Sequence, residues 1–241
     1  MPSTDAPSTT NTRPKPRSQT VLITGANRGI GLELARQYSD AGWRVIGTAR
    51  TPKAANTLAE LGAEVMELDV ADQASVDRLA RALADQPLDM LINSAGIQPL
   101  IWSLAEIDFD EFETALKVNT VGPARVVRAL LPNLRSGRER KIINVTTNLS
   151  SIASNLDGKF YGYRESKAAL NMFTRSLAAE LGPERFVCIV LHPGWVRTDM
   201  GGPDAPLDVV ESVRGMRHVI ENLRPEDNGS FLTYAGERME W

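Results

Sequence analysis

The chain has 241 residues, 42% hydrophobic and 24% charged, a globular balance far from the composition of a disordered chain. Its 27 Lys and Arg against 30 Asp and Glu give a net charge of -3 with no basic block to neutralise a run of phosphates, which argues against a nucleic-acid partner. No apolar stretch approaches the roughly 18 residues that cross a bilayer, so no membrane partner is expected, and one cysteine, Cys188, suits a reducing, cytoplasmic location.

Residues 1–18 carry four prolines and seven Ser or Thr, and apart from Met1 their only apolar side chain is Ala6. They have nothing to bury, and they match neither a secretory signal nor a transit peptide. A disordered extension over 1–18 is expected, leaving residues 19–241 as one domain.

The first β-branched run, 21–23, leads directly into Thr24-Gly25-Ala26-Asn27-Arg28-Gly29-Ile30-Gly31 and a helical pattern over 29–41. Glycine lets the backbone turn sharply and approach a pyrophosphate, and a helix amino terminus offers free N–H groups to the anion. A glycine-rich turn that binds nothing is the plain alternative. The second run, 44–46, continues to Ala49 and Arg50. Dinucleotide folds select their cofactor at about this distance from the turn, where a carboxylate would repel a 2′-phosphate and a guanidinium would bind one. Ala49 followed by Arg50 favours NADP(H), with Arg28 as a second cation, and either arginine could instead be a solvated charge.

A third run at 64–66 precedes Leu68-Asp69-Val70 and a helix over 72–86; a fourth at 90–92 precedes Asn93-Ser94-Ala95-Gly96. A helical pattern then spans 108–131, a fifth run 141–145, another helix 161–181, and a sixth run 187–191. Continuous apolar strands alternating with helices imply right-handed crossovers and a parallel sheet covered on both faces. The fold class is therefore an open, doubly wound Rossmann-type α/β domain. An eight-fold barrel would need two more strand and helix units.

In Tyr161-Gly-Tyr163-Arg-Glu-Ser-Lys167 the second tyrosine and the lysine stand four apart, so phenol and ammonium share one helix face. Together with the glycine turn, Asn93-Ser-Ala-Gly96, Asn119, a Ser-rich loop after the fifth run, and Pro193-Gly194-Trp-Val196-Arg-Thr198, this resembles the short-chain dehydrogenase/reductase family from about Thr20 onward. The carboxy-terminal segments resemble its C-factor/sniffer-like carbonyl reductase branch.

The resemblance implies a mostly parallel seven-stranded sheet and hydride transfer between NADP(H) and a small-molecule carbonyl or alcohol. Tyr163 would be the general acid or base, its phenol drawn toward ionisation by Lys167 and a positive nicotinamide. Lys167 would also hold the nicotinamide ribose. Asn119 would bind a water linking the lysine to solvent. Ser151, twelve residues before the tyrosine, would polarise the substrate oxygen, with Ser150 as its rival. Gly25, Asn27, Arg28, Gly29, Ile30, Gly31, Arg50, Asp69, Val70, Asn93, Ala95, Gly96, Pro193, Gly194, Val196 and Thr198 would line the cofactor. Asp69 also reads as a helix cap. The short stretch after Thr198 suggests an open substrate pocket, and family members usually pair, implying a homodimer or homotetramer. The competing functions are an NADP(H)-binding sensor with little turnover and an NAD-dependent alcohol dehydrogenase. His192, His218 and Cys188 offer no metal spacing, no Gly-x-Ser-x-Gly elbow is present, and Trp195 and Trp241 suit packing as well as substrate.

Overall fold

A computed structural model describes residues 18–241. The expected extension over 1–18 lies, Ser18 aside, outside the described residues. Seven strands, β1 (Thr20–Thr24), β2 (Arg44–Ala49), β3 (Glu64–Glu67), β4 (Met90–Asn93), β5 (Lys141–Val145), β6 (Val187–His192) and β7 (Phe231–Thr233), form one sheet in the order β3-β2-β1-β4-β5-β6-β7. Every pairing is parallel. The chain starts in the middle, winds outward to β3, returns to β4 beside β1, and winds the other way. That reversal leaves a crevice at the carboxyl ends of β1 and β4, the place where such sheets bind ligands.

Strand side chains alternate between faces, so a continuous apolar run feeds two cores at once. Val21, Ile23, Met90, Ile92, Ile143, Ile189 and Leu191 enter one core, with Tyr38 of helix α1 (Gly29–Asp40) and Val213 and Met216 of α7 (Val209–Glu221). Leu22, Leu91, Ile142 and Cys188 enter the other, against α3 (Gln73–Leu83), α5 (Gly122–Arg135) and α6 (Tyr163–Leu181). A short helix, α2 (Asn56–Glu60), follows β2. Strand β7, three residues long, is too short to have stood out as an apolar run.

Two helix boundaries differ from the periodicity. The pattern over 108–131 is α4 (Phe109–Leu116), a π-helical turn over Lys117–Val121, and α5 reaching Arg135. Gly122 N bonds back to Lys117 O across that wide turn. Helix α6 begins at Tyr163, because its cap Gly162 has φ 79°, outside the helical region. No helix among the described residues is long and apolar enough to cross a membrane.

Candidate active site

The turn between β1 and α1 is built for close backbone approach. A Cβ on Gly31 would lie 2.2 Å from Gly25 O, and one on Gly25, whose φ is +66°, would lie 2.8 Å from Ala95 Cα. Neither position tolerates a side chain. Helix α1 starts at Gly29 with no side-chain cap on its amino terminus and no acidic residue in its first turn, so its N–H groups face outward for an anion. The Thr24 hydroxyl accepts from the N–H groups of Ser94 and Ala95, 3.1 Å each, tying the ends of β1 and β4 together. On the β4 side only backbone N–H groups take part, so the brace does not depend on the side chain of residue 94.

Beyond β2, Arg50 is exposed and forms no hydrogen bond or ion pair among the described residues, while Ala49 beside it is buried. Arg28, the other cation expected there, pairs with Asp199 at 3.0 Å across the groove. Asn27 is exposed, Ile30 half-buried, and Gly29 lies under the Thr198 methyl. Asp69 caps a turn by accepting from Ala71 N at 2.9 Å, and Asp72 takes the cap of α3. Val70 is packed against Gly122. The side chain of Asn93 is turned into the interior, where its amide donates to Asn144 Oδ1 at 2.8 Å, and Asn144 donates in turn to Thr174 Oγ1. These features fit a dinucleotide carrying an extra phosphate: a cradle closed to side chains, an uncapped helix start, and a free guanidinium where an acid would repel.

On the far side of the crevice, Pro193 O accepts from Ser212 Oγ at 2.6 Å, fixing the end of β6 to α7. Gly194 passes under Leu207 and Tyr234. Val196 is buried, and the Thr198 hydroxyl is held in a turn with Val196 O and Gly201 N. The segment after Thr198 folds back on itself, with Arg197 N donating to Leu207 O at 2.9 Å and Leu207 N to Trp195 O at 3.3 Å.

The reacting groups are buried. Lys167 Nζ donates to Val145 O, the last residue of β5, at 2.8 Å. Asn119, fully buried in the π-helical turn, accepts from Ile97 N at 2.9 Å and donates to Ile97 O at 2.8 Å and Ser166 Oγ at 3.0 Å. A Cβ on Gly96 would sit 3.1 Å from Asn119 Oδ1 and 3.5 Å from Lys167 Nζ, so the amide and ammonium converge on that glycine. The wide turn that carries Asn119 has no spacing signal in the sequence.

Burial pushes the Tyr163 phenol up to about 12, with the Thr147 hydroxyl partly offsetting it by bonding to the phenol oxygen. Burial also lowers Lys167 to about 8. The expected downward pull of Lys167 is not among the causes of the phenol's shift, whose direction is set by desolvation. The hydroxyl beside the Tyr163 phenol is that of Thr147, while the two serines expected near the substrate oxygen bond elsewhere. Ser151 Oγ is committed to Ser154, donating to Oγ at 3.0 Å and accepting from N at 3.2 Å. Ser150 Oγ lies within a buried cluster with Thr146 Oγ1, Thr147 O and Asn171 Nδ2. Thr147 is the second residue past β5, and counting forward from the strand end would have found it. Counting backward from the tyrosine crosses a loop whose length is not set by the strand.

The family described as short chain dehydrogenase matches residues 19–206. The chain is 49% identical over 155 residues to the C-signal of Myxococcus xanthus, covering 64% of this chain and 93% of that protein. Among solved structures, the carbonyl reductase Sniffer of D. melanogaster superposes with a TM-score of 0.87 at 36% identity, covering 93% of this chain and all of that one. An NADPH-bound carbonyl reductase from chicken fatty liver gives 0.87 at 34% identity, with the same coverage.

Proposed function

The chain belongs to the short-chain dehydrogenase family, and on that premise we propose that it is an NADP(H)-dependent oxidoreductase that reduces a ketone, aldehyde or quinone carbonyl. The observation that carries the reading is that Lys167, four residues along the same helix from the buried Tyr163, reaches Val145 O at the carboxyl end of β5, beside a crevice whose glycine turn leaves room for close backbone approach. The NADPH-bound relative supports the choice of cofactor. Bound NADPH supplies the hydride.

Helix α1 and the glycine turn hold the pyrophosphate through backbone N–H groups, and Arg50 takes the 2′-phosphate with a charge-assisted fork. Lys167 hydrogen-bonds the nicotinamide ribose, and its ammonium stabilises negative charge forming on the phenol oxygen. Tyr163, protonated throughout the neutral range, donates its proton to the carbonyl oxygen as charge develops there. The Thr147 hydroxyl, held by Leu149 N at 3.2 Å, donates to the same oxygen and acts as a preorganised dipole. Asn119 props the Gly96–Ile97 backbone that walls the ammonium.

The test is NADPH consumption by purified protein against a panel of ketones, aldehydes and quinones, comparing wild type with Tyr163→Phe. Turnover in wild type with a loss of about 10²–10⁴-fold in the variant is expected. No turnover in cofactor-saturated wild type would instead favour an NADP(H)-binding sensor, and oxidation of alcohols with NAD in preference would favour the dehydrogenase.

A further inference from the structure

The five residues before Tyr163 follow an unusual path. Gly158, Lys159, Phe160 and Gly162 all have positive φ, 65°, 66°, 53° and 79°. Glycine adopts such angles freely, but Lys159 and Phe160 do so only under strain, which persists where surrounding contacts over-determine the conformation. The contacts are present. Glu165 accepts from Gly162 N at 2.6 Å, Asn155 accepts from Gly158 N at 3.1 Å, and Tyr161 N donates to Ile101 O at 3.1 Å.

The strongest of them comes from Arg164, 7% exposed and next to the tyrosine. Its Nε donates to Lys159 O at 3.0 Å, its Nη1 to Leu149 O at 3.4 Å, and its Nη2 to Asp157 Oδ1 at 2.8 Å, while the guanidinium carbon lies 6.0 Å from the centre of the Phe160 ring. One side chain thus joins both ends of the loop that contains Ser151 and closes on Tyr163. A lysine keeps the charge but lacks the planar fork needed to meet three acceptors in different directions.

The wound turn delivers Phe160 to the loop after β4, where its ring packs on Trp102 with centroids 4.7 Å apart and planes tilted by 50°. Trp102 is 52% exposed, so one side of this aromatic pair is open. The two loops it bridges carry Gly96 at one root and Thr147 at the other, and therefore flank the reacting groups.

We infer that Arg164 is a positioning residue that keeps the strained 158–162 turn wound, and through Phe160 and Trp102 sets a preference for carbonyls carrying an apolar ring. The inference rests on the carbonyl-reductase reading above. Arg164 touches neither substrate nor cofactor.

The test compares wild type, Arg164→Lys, Trp102→Ala and the double variant. The readouts are kcat and KM for 4-phenyl-2-butanone and 2-butanone, NADPH affinity, and amide hydrogen exchange over residues 155–162. Arg164→Lys is expected to raise KM for the phenyl ketone about tenfold relative to the small one, leave NADPH affinity unchanged, and speed exchange over 158–161 by about tenfold or more. The double variant should lose little more ring preference than either single one, since both act through Phe160. Unchanged exchange and an unchanged ketone ratio would overturn the inference, as would uniform loss of NADPH binding and both activities together. If wild type reduces no carbonyl, the reading of function fails, and the exchange experiment still decides whether Arg164 clamps the turn.

Discussion

The two sides of the crevice use opposite physics. Around the β1–α1 turn, the binding surface is backbone, glycine and an Arg50 without a partner among the described residues, with few side chains tied to distant partners. Around the end of β5, nearly every polar side chain is buried and engaged: Lys167 with Val145, Asn119 with Ile97 and Ser166, Ser150 with Asn171, Thr147 with Tyr163. A surface that receives a large anionic ligand needs N–H groups left free and room for close approach. A surface that moves a proton needs each group held in place and kept dry, so that charge forming in the reaction meets fixed dipoles.

That contrast gives its sharpest break at Thr147. Thr147→Val keeps the shape and removes the hydroxyl, and kcat is expected to fall about 10²–10³-fold with NADPH affinity unchanged, as steady-state kinetics and a fluorescence titration would register. Ser151→Ala, by contrast, should stay within about twofold of wild type, and equal losses in the two variants would return the polarising role to Ser151.

On the cofactor side, Gly31→Ala drives a methyl into Gly25 O, and NADPH affinity is expected to drop about 100-fold or more in the same titration. Arg50→Ala should weaken NADPH by about tenfold or somewhat more while leaving NADH nearly unchanged. A parallel loss for both cofactors would show that Arg50 supports the turn and does not read the phosphate.

The smallest effect is in pH. Lys167, lowered by burial from 10.5 to about 8, loses its ammonium as pH rises through 8, and kcat/KM for reduction is expected to decline above that point by up to about tenfold per unit. Tyr163, at about 12, adds no limb in that range. Stability runs the other way. Between about 8 and 10.5 the unfolded chain keeps a proton that the folded one has lost, so the contribution of Lys167 to unfolding free energy rises with pH. Thermal melts of wild type and Lys167→Met over that window measure the difference.

Legibility followed the same division. The glycine turn, Ala49 with Arg50, and the Tyr163–Lys167 spacing each lie within a few residues of one another, and local geometry relates them. Thr147 beside the phenol was not legible because the 148–162 loop is held by contacts that no helix or strand period announces: Arg164 to Leu149, Tyr161 to Ile101, and the local Ser151 to Ser154 bond. Asn119 lies in a π-helical turn, which a period of 3.6 residues reads as plain helix. The exposed pairing of Arg28 with Asp199, 171 residues away, was likewise beyond any local pattern.

By itself the amino-acid order determined the alternation of strands and helices, the distribution of each apolar run between two cores, and the phosphate cradle, because periods of two and 3.6 residues and the freedom of glycine act over single turns of chain. Which hydroxyl meets the phenol, that burial sets the direction of the phenol's shift, and which backbone the Arg164 fork clamps were decided only in three dimensions. Those outcomes depend on desolvation and on contacts between residues far apart in sequence, and no local pattern encodes the distance between them.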